Sequence, residues 1–394
     1  MYKLYDTLDL SAIDKEVLEF WKEKDIFDKS ISQRDENNTY VFYEGPPSAN
    51  GMPGIHHVMA RTIKDLFCRY HSMKGQRVER KGGWDTHGLP IELSVEKELG
   101  ITKEDIGGKI SVDEYNAKCR ETVMRYKDVW DDLTEKMGYW VNLDNPYITY
   151  ENDYIETVWF LLKRLYDKGL LYKGYTIQPY SPAAGTGLSS HELNMPGAYR
   201  EIRDVSAVAQ FRIKGTKDEY FLAWTTTPWT LPSNTALAVG AKIEYIKVRS
   251  FNRYTQEPIT VILAKDRLSA YFSEAKPELK PEEVQAGNKP VPYIEIVDQM
   301  TGADLEGMEY EQLMPYIQPD EPAFKVLIGD FVSTEDGTGI VHISPTFGAD
   351  DFKVAKKYGI PAILVKDENG NTSPLVDAQG RFVKEVTDFA GRYV

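Results

Sequence analysis

The chain is 394 residues long, more than one core of roughly 100 to 200 residues accommodates, so two or three domains are expected. Hydrophobic residues make up 42% and charged residues 27%, which excludes a disordered chain, and no apolar run approaches the ~20 residues that span a bilayer. The net charge of -14 offers no long-range attraction to nucleic acid, so a polyanion has to be met by local basic segments.

The N-terminus, Met1 to Asp6, lacks the charged-then-apolar pattern of a secretory signal, and only two cysteines occur, Cys68 and Cys119. Both features predict a cytoplasmic protein without a membrane partner, and the two thiols read as buried small side chains. Between Ser11 and Lys24, Ile13, Val17, Leu18, Phe20 and Trp21 fall on helical spacing, predicting an amphipathic helix inside an N-terminal extension, residues 1–40. Tyr40 to Tyr43 reads as a buried strand, ended by the proline- and glycine-rich turn Glu44 to Gly54. A helical period resumes from Ile55 to about Lys74 through Val58, Met59, Thr62, Ile63, Leu66, Phe67 and Tyr70. Lys74 to Lys81 reads either as a solvated charged turn or as a basic patch. A second short strand is expected around Val78, then a polar turn from Gly82 to Glu92, then helices over 112–137 and 153–168. Strands separated by helices predict an α/β fold with a parallel sheet over residues 41–195. From residue 196 to 394, short alternating segments predict a β-rich domain, with an acidic surface excursion over 274–292.

In a parallel sheet, ligands bind where strands end and helices begin, because a helix N-terminus offers unpaired N–H groups to an anion. The Glu44–Gly54 turn is in that place: Gly51 and Gly54 permit close approach of a nucleotide, and His56 and His57 can donate to phosphate oxygens. A purely structural turn is the alternative, and no lysine followed by serine or threonine closes a P-loop here.

Gly45-Pro46-Pro47, Ala49-Asn50-Gly51 and Gly54-Ile55-His56-His57 together resemble the first signature of class I aminoacyl-tRNA synthetases. The family pattern is His-Ile-Gly-His, so the first histidine falls on Gly54, the glycine on His56 and the last histidine on His57. The resemblance implies an ATP-phosphate role for His57, with Gly45, Gly51 and Gly54 beside the nucleotide, and leaves open whether His56 replaces the absent histidine. Gly83-Trp84-Asp85-Thr86-His87-Gly88-Leu89-Pro90-Ile91-Glu92 resembles the isoleucyl branch, where it implies that Asp85 holds the amino group of isoleucine and that Pro46 lies on the same substrate. The fold implied is the first half of a split Rossmann-type sheet with an inserted β-rich editing domain. The implied reaction joins isoleucine to ATP, with Mg2+, and then to its tRNA. The second class I signature, Lys-Met-Ser-Lys-Ser, is absent from these residues, so the chain is expected to edit without activating.

A single methylene supplies only about 1–3 kcal/mol of discrimination, isoleucine against valine being the standard example, so this branch uses a second, hydrolytic sieve. Thr225-Thr226-Thr227-Pro228, ending at Asn234, resembles the threonine-rich peptide of that sieve, and Gly337 to Phe352 resembles its second motif. The resemblance implies that Asp351 anchors the ammonium of a mischarged amino acid, with Asp350 a less secure neighbour, and that His342 lines the pocket. Water oriented by Thr225 to Thr227 would be the nucleophile. Where many members bind zinc through Cys-x-x-Cys, this chain has Ser181 and Ala184, so zinc is not expected. The alternatives are a valyl or leucyl relative, or a stand-alone deacylase or binding module that keeps the editing domain.

Overall fold

The computed structural model describes residues 4–42, 44–285, 287, 290–367 and 370–394. It forms two compact units, Met1–Lys173 and Gly174–Val394.

In the first unit, α1 (Leu10–Glu23) starts where Asp9 accepts a hydrogen bond from the Ala12 N–H at 3.0 Å. Its Trp21 meets Trp140 edge-on at 5.2 Å, although no residue of the helix is fully buried. A short α2 (Ile26–Ser32) follows. The strand expected at Tyr40–Tyr43 lies earlier: β1 is the exposed, polar Asp35–Thr39, parallel to β2 (Gln76–Arg77). Tyr43 falls outside the described residues. Tyr40 still donates its N–H to Arg77 O at 2.9 Å, but its ring stacks on His71 at 3.7 Å and the apolar run leaves the ladder there. Val78, taken as the centre of the second strand, follows β2 and is fully buried.

The helix predicted from Ile55 is α3 (Ile55–Met73). Its apolar stripe faces outward, with Met59 62%, Leu66 64% and Met73 78% exposed, whereas Arg61, Cys68 and Ser72 are buried. β3 (Lys81–Trp84) runs parallel to β4 (Asn142–Ile148), so the described residues of this unit hold two parallel pairs in place of one continuous sheet. Gly83 sits under the Tyr147 ring, where any β-carbon would overlap it. After α4 (Leu89–Leu99), the helix expected over 112–137 is broken into α5 (Val112–Val123) and α6 (Lys127–Lys136). The break comes from a distant acceptor: Tyr126 N–H turns to Ala49 O at 3.0 Å. α7 (Asn152–Asp167) ends the regular structure and exposes Trp159 and Phe160.

The second unit is built on β5 (Ala207–Arg212), β6 (Glu219–Thr225), β7 (Ala236–Val239), β8 (Glu244–Phe251), β9 (Pro258–Ala264) and β10 (Glu295–Thr301). Five of these form a mixed sheet in the order β10–β8–β9–β6–β5. β9 is buried from Ile259 onward, as suits an uninterrupted apolar run in a central strand. The sixth, β7, lies between β11 (Lys325–Ile328), parallel to it, and β12 (Ile340–Ile343), antiparallel, which puts His342 opposite Leu237. Phe211, Phe221, Tyr245, Tyr310 and Ile340 pack in one core, and α8 (Ala349–Tyr358) closes over Ala238 and Ile343 through Val354 and Ala355. No helix among the described residues is long and apolar enough to cross a membrane.

Candidate functional site

In the first unit the glycine-rich turn is held from three sides. Trp130 Nε1 donates to Gly51 O at 2.8 Å, Tyr126 N–H to Ala49 O at 3.0 Å, and Asp85 N–H to Pro47 O at 3.0 Å. The last bond joins the turn carrying Gly45 and Pro46 to the segment carrying Asp85. Asp85 is half-buried, and among the described residues its carboxylate accepts only a long 3.3 Å bond from His87 N–H. It therefore keeps acceptor capacity for a cationic group.

Gly54 caps α3 with an extended backbone, and its N–H donates to His57 Nδ1 at 2.9 Å. That bond puts the proton of the neutral ring on Nε2, a donor at the start of the helix. Burial, then His56, then Arg61 lower the His57 pKa, so the neutral form is favoured. The exposed His56 ring lies 3.8 Å from that of His57, and the edge of Trp130 lies 4.7 Å away on another side.

Glu44, which no sequence motif singles out, organises this turn. Its nearly buried carboxylate takes Lys64 on one oxygen and the Tyr139 hydroxyl on the other, and its carbonyl accepts from Tyr147 OH at 2.8 Å. Burial first, and the bond to Glu44 second, push the Tyr139 pKa up. Thr149, likewise outside every motif, accepts from Thr86 N–H at 2.9 Å and lies 3.1 Å from His87 Nδ1. No short-range pattern marks either residue.

In the second unit, the two motifs named from sequence come together. Thr225 is buried at the end of β6, and its hydroxyl accepts from Thr227 N–H at 3.0 Å, a turn that leaves Thr226 and Thr227 exposed. Thr230 donates to Thr227 O at 2.9 Å and lies 2.9 Å from His342 Nε2, a residue 112 positions away. The single hydroxyl proton of Thr230 is used on Thr227 O, so the imidazole donates through Nε2–H and its Nδ1 is a bare acceptor. That Nδ1 is buried and has no partner among the described residues, and the same holds for Ser344 Oγ and Thr346 Oγ1. Burial alone lowers the His342 pKa to about 4.

Asp351 stands in the first turn of α8, and its carboxylate accepts from Ser344 N–H at 2.8 Å. Burial is the largest influence and raises its pKa; the Ser344 bond opposes this, and Asp350 adds to it. The carboxylate folds over Gly348, where a β-carbon would come within 2.5 Å of Asp351 Cγ. Asp350 is exposed and pairs with Lys353 at 3.1 Å. Asn234 is buried and spends its amide on Ala236 O at 2.8 Å and on the Tyr310 hydroxyl at 2.7 Å, so it braces β7 and presents no free group. Ser181 Oγ accepts from Ala184 N–H at 3.2 Å, and no group of three or more His, Cys, Asp or Glu among the described residues could hold a metal ion.

Residues 16–319 match the family described as tRNA synthetases class I (I, L, M and V), and the chain belongs to that family. Within it the chain is similar to enzymes named isoleucine–tRNA ligase. It is 66% identical over 390 residues to that of Cytophaga hutchinsonii, covering 98% of this chain and 35% of the relative. The Bacteroides fragilis relative is 62% identical over 385 residues, covering 96% of this chain and 34% of its own length. That of Clostridium tetani is 43% identical over 392 residues, covering 99% and 34%. The chain thus spans about a third of the length of the curated relatives it matches.

Proposed function

We propose that the chain is the part of an isoleucine–tRNA ligase that carries half of the ATP site and the whole of a hydrolytic editing site. The observation that carries the reading is the 2.9 Å contact between Thr230 and His342, which brings two distant motifs, each expected at an editing pocket, onto one hydrogen-bonded chain.

On this reading residues 41–195 are the first half of a split Rossmann-type domain and residues 196–394 the inserted editing domain, behind the extension 1–40. The exposed apolar stripes of α3 and α7 are what half of a larger core leaves open. ATP places its phosphates at the start of α3, where free N–H groups, the partial positive charge of the helix and His57 Nε2–H face it. The start of α3 and His57 would hold these phosphates, and Mg2+ coming with them would offset part of their charge. Asp85 pairs with the ammonium of isoleucine beside Pro46. Positioning and charge stabilisation at this half-site remain incomplete without the second signature.

In the editing site Asp351 takes the ammonium of a valyl ester, the hydroxyls of Thr225 to Thr227 orient the ester and the attacking water, and His342 sets the size of the pocket. The setting is cytoplasmic and the partner is isoleucine tRNA. The test is hydrolysis of valyl-tRNA carrying the isoleucine identity: hydrolysis by the chain that falls at least tenfold in Asp351→Ala supports the reading, and an unaffected rate removes Asp351 from it. ATP–pyrophosphate exchange with isoleucine should stay at background, and a robust rate would show that the second signature is dispensable.

A further inference from the structure

β3 and β4 run parallel with Trp84 opposite Ile148, so Asp85 and Thr149 are the residues that leave the two strands side by side. The ends of parallel strands are where such folds hold ligands. Thr149 N–H donates to Trp84 O at 3.2 Å, closing the ladder just before Asp85. Its hydroxyl accepts from Thr86 N–H at 2.9 Å and lies 2.8 Å from Thr86 Oγ1 and 3.1 Å from His87 Nδ1. One hydroxyl has one proton and two acceptor sites, so these three contacts use all of it.

Thr149 therefore grips the residue before Asp85 and the two after it, while Asp85 N–H is fixed on Pro47 O at 3.0 Å. Nothing covalent stiffens this turn: Gly82 and Gly83 precede it, and Gly88 follows with φ at 110°, a conformation open to glycine. Thr86 and Thr149 are 6% and 8% exposed, so water does not stand in for the hydroxyl. A buried N–H that loses its acceptor is costly, and the turn relieves that cost only by opening. Opening it carries Asp85 away from its present direction.

We propose that Thr149 is a positioning residue of the amine pocket: its hydroxyl holds the Asp85 turn so that the carboxylate meets an α-ammonium. The inference rests on the reading of Asp85 given above and adds the group that sets its direction. A carboxylate and an ammonium bind strongly when their geometry is fixed in advance, and a small misplacement loses most of the gain. Thr149 acts through Asp85, so its effect is confined to ligands that carry an amine.

The experiment compares L-isoleucine with the same branched acid lacking the α-amine, each titrated into the 394-residue chain and followed by ligand NMR at neutral pH. The parent should prefer isoleucine. Thr149→Val keeps the side-chain shape, removes the hydroxyl and should lower that preference about tenfold, with binding of the amine-free acid and of ATP unchanged. Thr149→Ser keeps the hydroxyl and should keep the preference. Thr149→Ala, in which water can enter to reach Thr86 N–H, should lose part of it and carries the test if the valine variant does not fold. A folded valine or alanine variant with the parent's preference would overturn the proposal. So would an equal loss of affinity for isoleucine, the amine-free acid and ATP, which marks general loosening. Asp85→Asn separates the two readings. Preference lost in Asp85→Asn but kept in Thr149→Val sinks this proposal alone, whereas preference kept in Asp85→Asn, or absent from the parent, sinks the Asp85 reading and this one with it.

Discussion

Replacing Thr230 by valine keeps the shape of the side chain and deletes one hydroxyl that serves two bonds. In the parent it accepts from His342 Nε2–H and donates to Thr227 O, each at 2.9 Å. Thr227 is exposed and its carbonyl can turn to water, but His342 is 7% exposed and its N–H cannot. An orphaned buried donor costs about 1–3 kcal/mol, so Thr230→Val should destabilise the 174–394 unit by that amount. His342→Leu removes the donor together with the already unpartnered Nδ1, and leaves only a spare lone pair on Thr230. In the double variant neither side is orphaned, so its loss should fall short of the summed single losses by about 1–2 kcal/mol. Urea unfolding of the four proteins measures this coupling. Losses that add to within about 0.5 kcal/mol would refute the shared bond, and with it the tautomer assigned to His342.

The same imidazole makes stability depend on pH. The folded pKa is about 4 against an ordinary 6.5, so on acidification the unfolded chain takes up the proton first. The contribution is intact above pH 6.5 and should fall by about 3 kcal/mol as the pH drops to 4. Asp351, whose folded pKa is raised, gains its proton earlier in the folded chain and opposes this at the acid end, so the comparison is parent against His342→Leu. A variant with the parent's pH slope would contradict the assignment. Gly348→Ala should swing Asp351 off the buried Ser344 N–H, which lowers stability by about 1–3 kcal/mol in urea unfolding and cuts valyl-tRNA hydrolysis at least tenfold; a variant with parental stability and hydrolysis would show that the carboxylate does not depend on that bond. Gly83→Ala should cost about 1–3 kcal/mol, since the Tyr147 ring, tied to Glu44 O, has to move; a fully stable variant, measured by thermal unfolding, would show the strand pair to be looser than described.

The elements that depend on neighbours in sequence were legible before any coordinates. The starts of α1 and α3, the length of α7, the β-rich texture after residue 196 and the order of the motifs all follow from spacing, capping and turn residues. What packing between distant segments decides was not. The apolar stripe of α3 specified a helix but not which face would be covered, and the helix over 112–137 breaks at Met124–Tyr126 because of a carbonyl on Ala49. Asn234 carries the same amide whether it serves a ligand or a strand, and only the fold commits it to Ala236 O and Tyr310. Glu44, Thr149 and Thr230 gained their places in the same way, since the partner that completes each lies far along the chain. Periodicity and caps are local energies that any short window of sequence contains. A hydrogen bond spanning 112 residues exists only once the intervening sheet has closed.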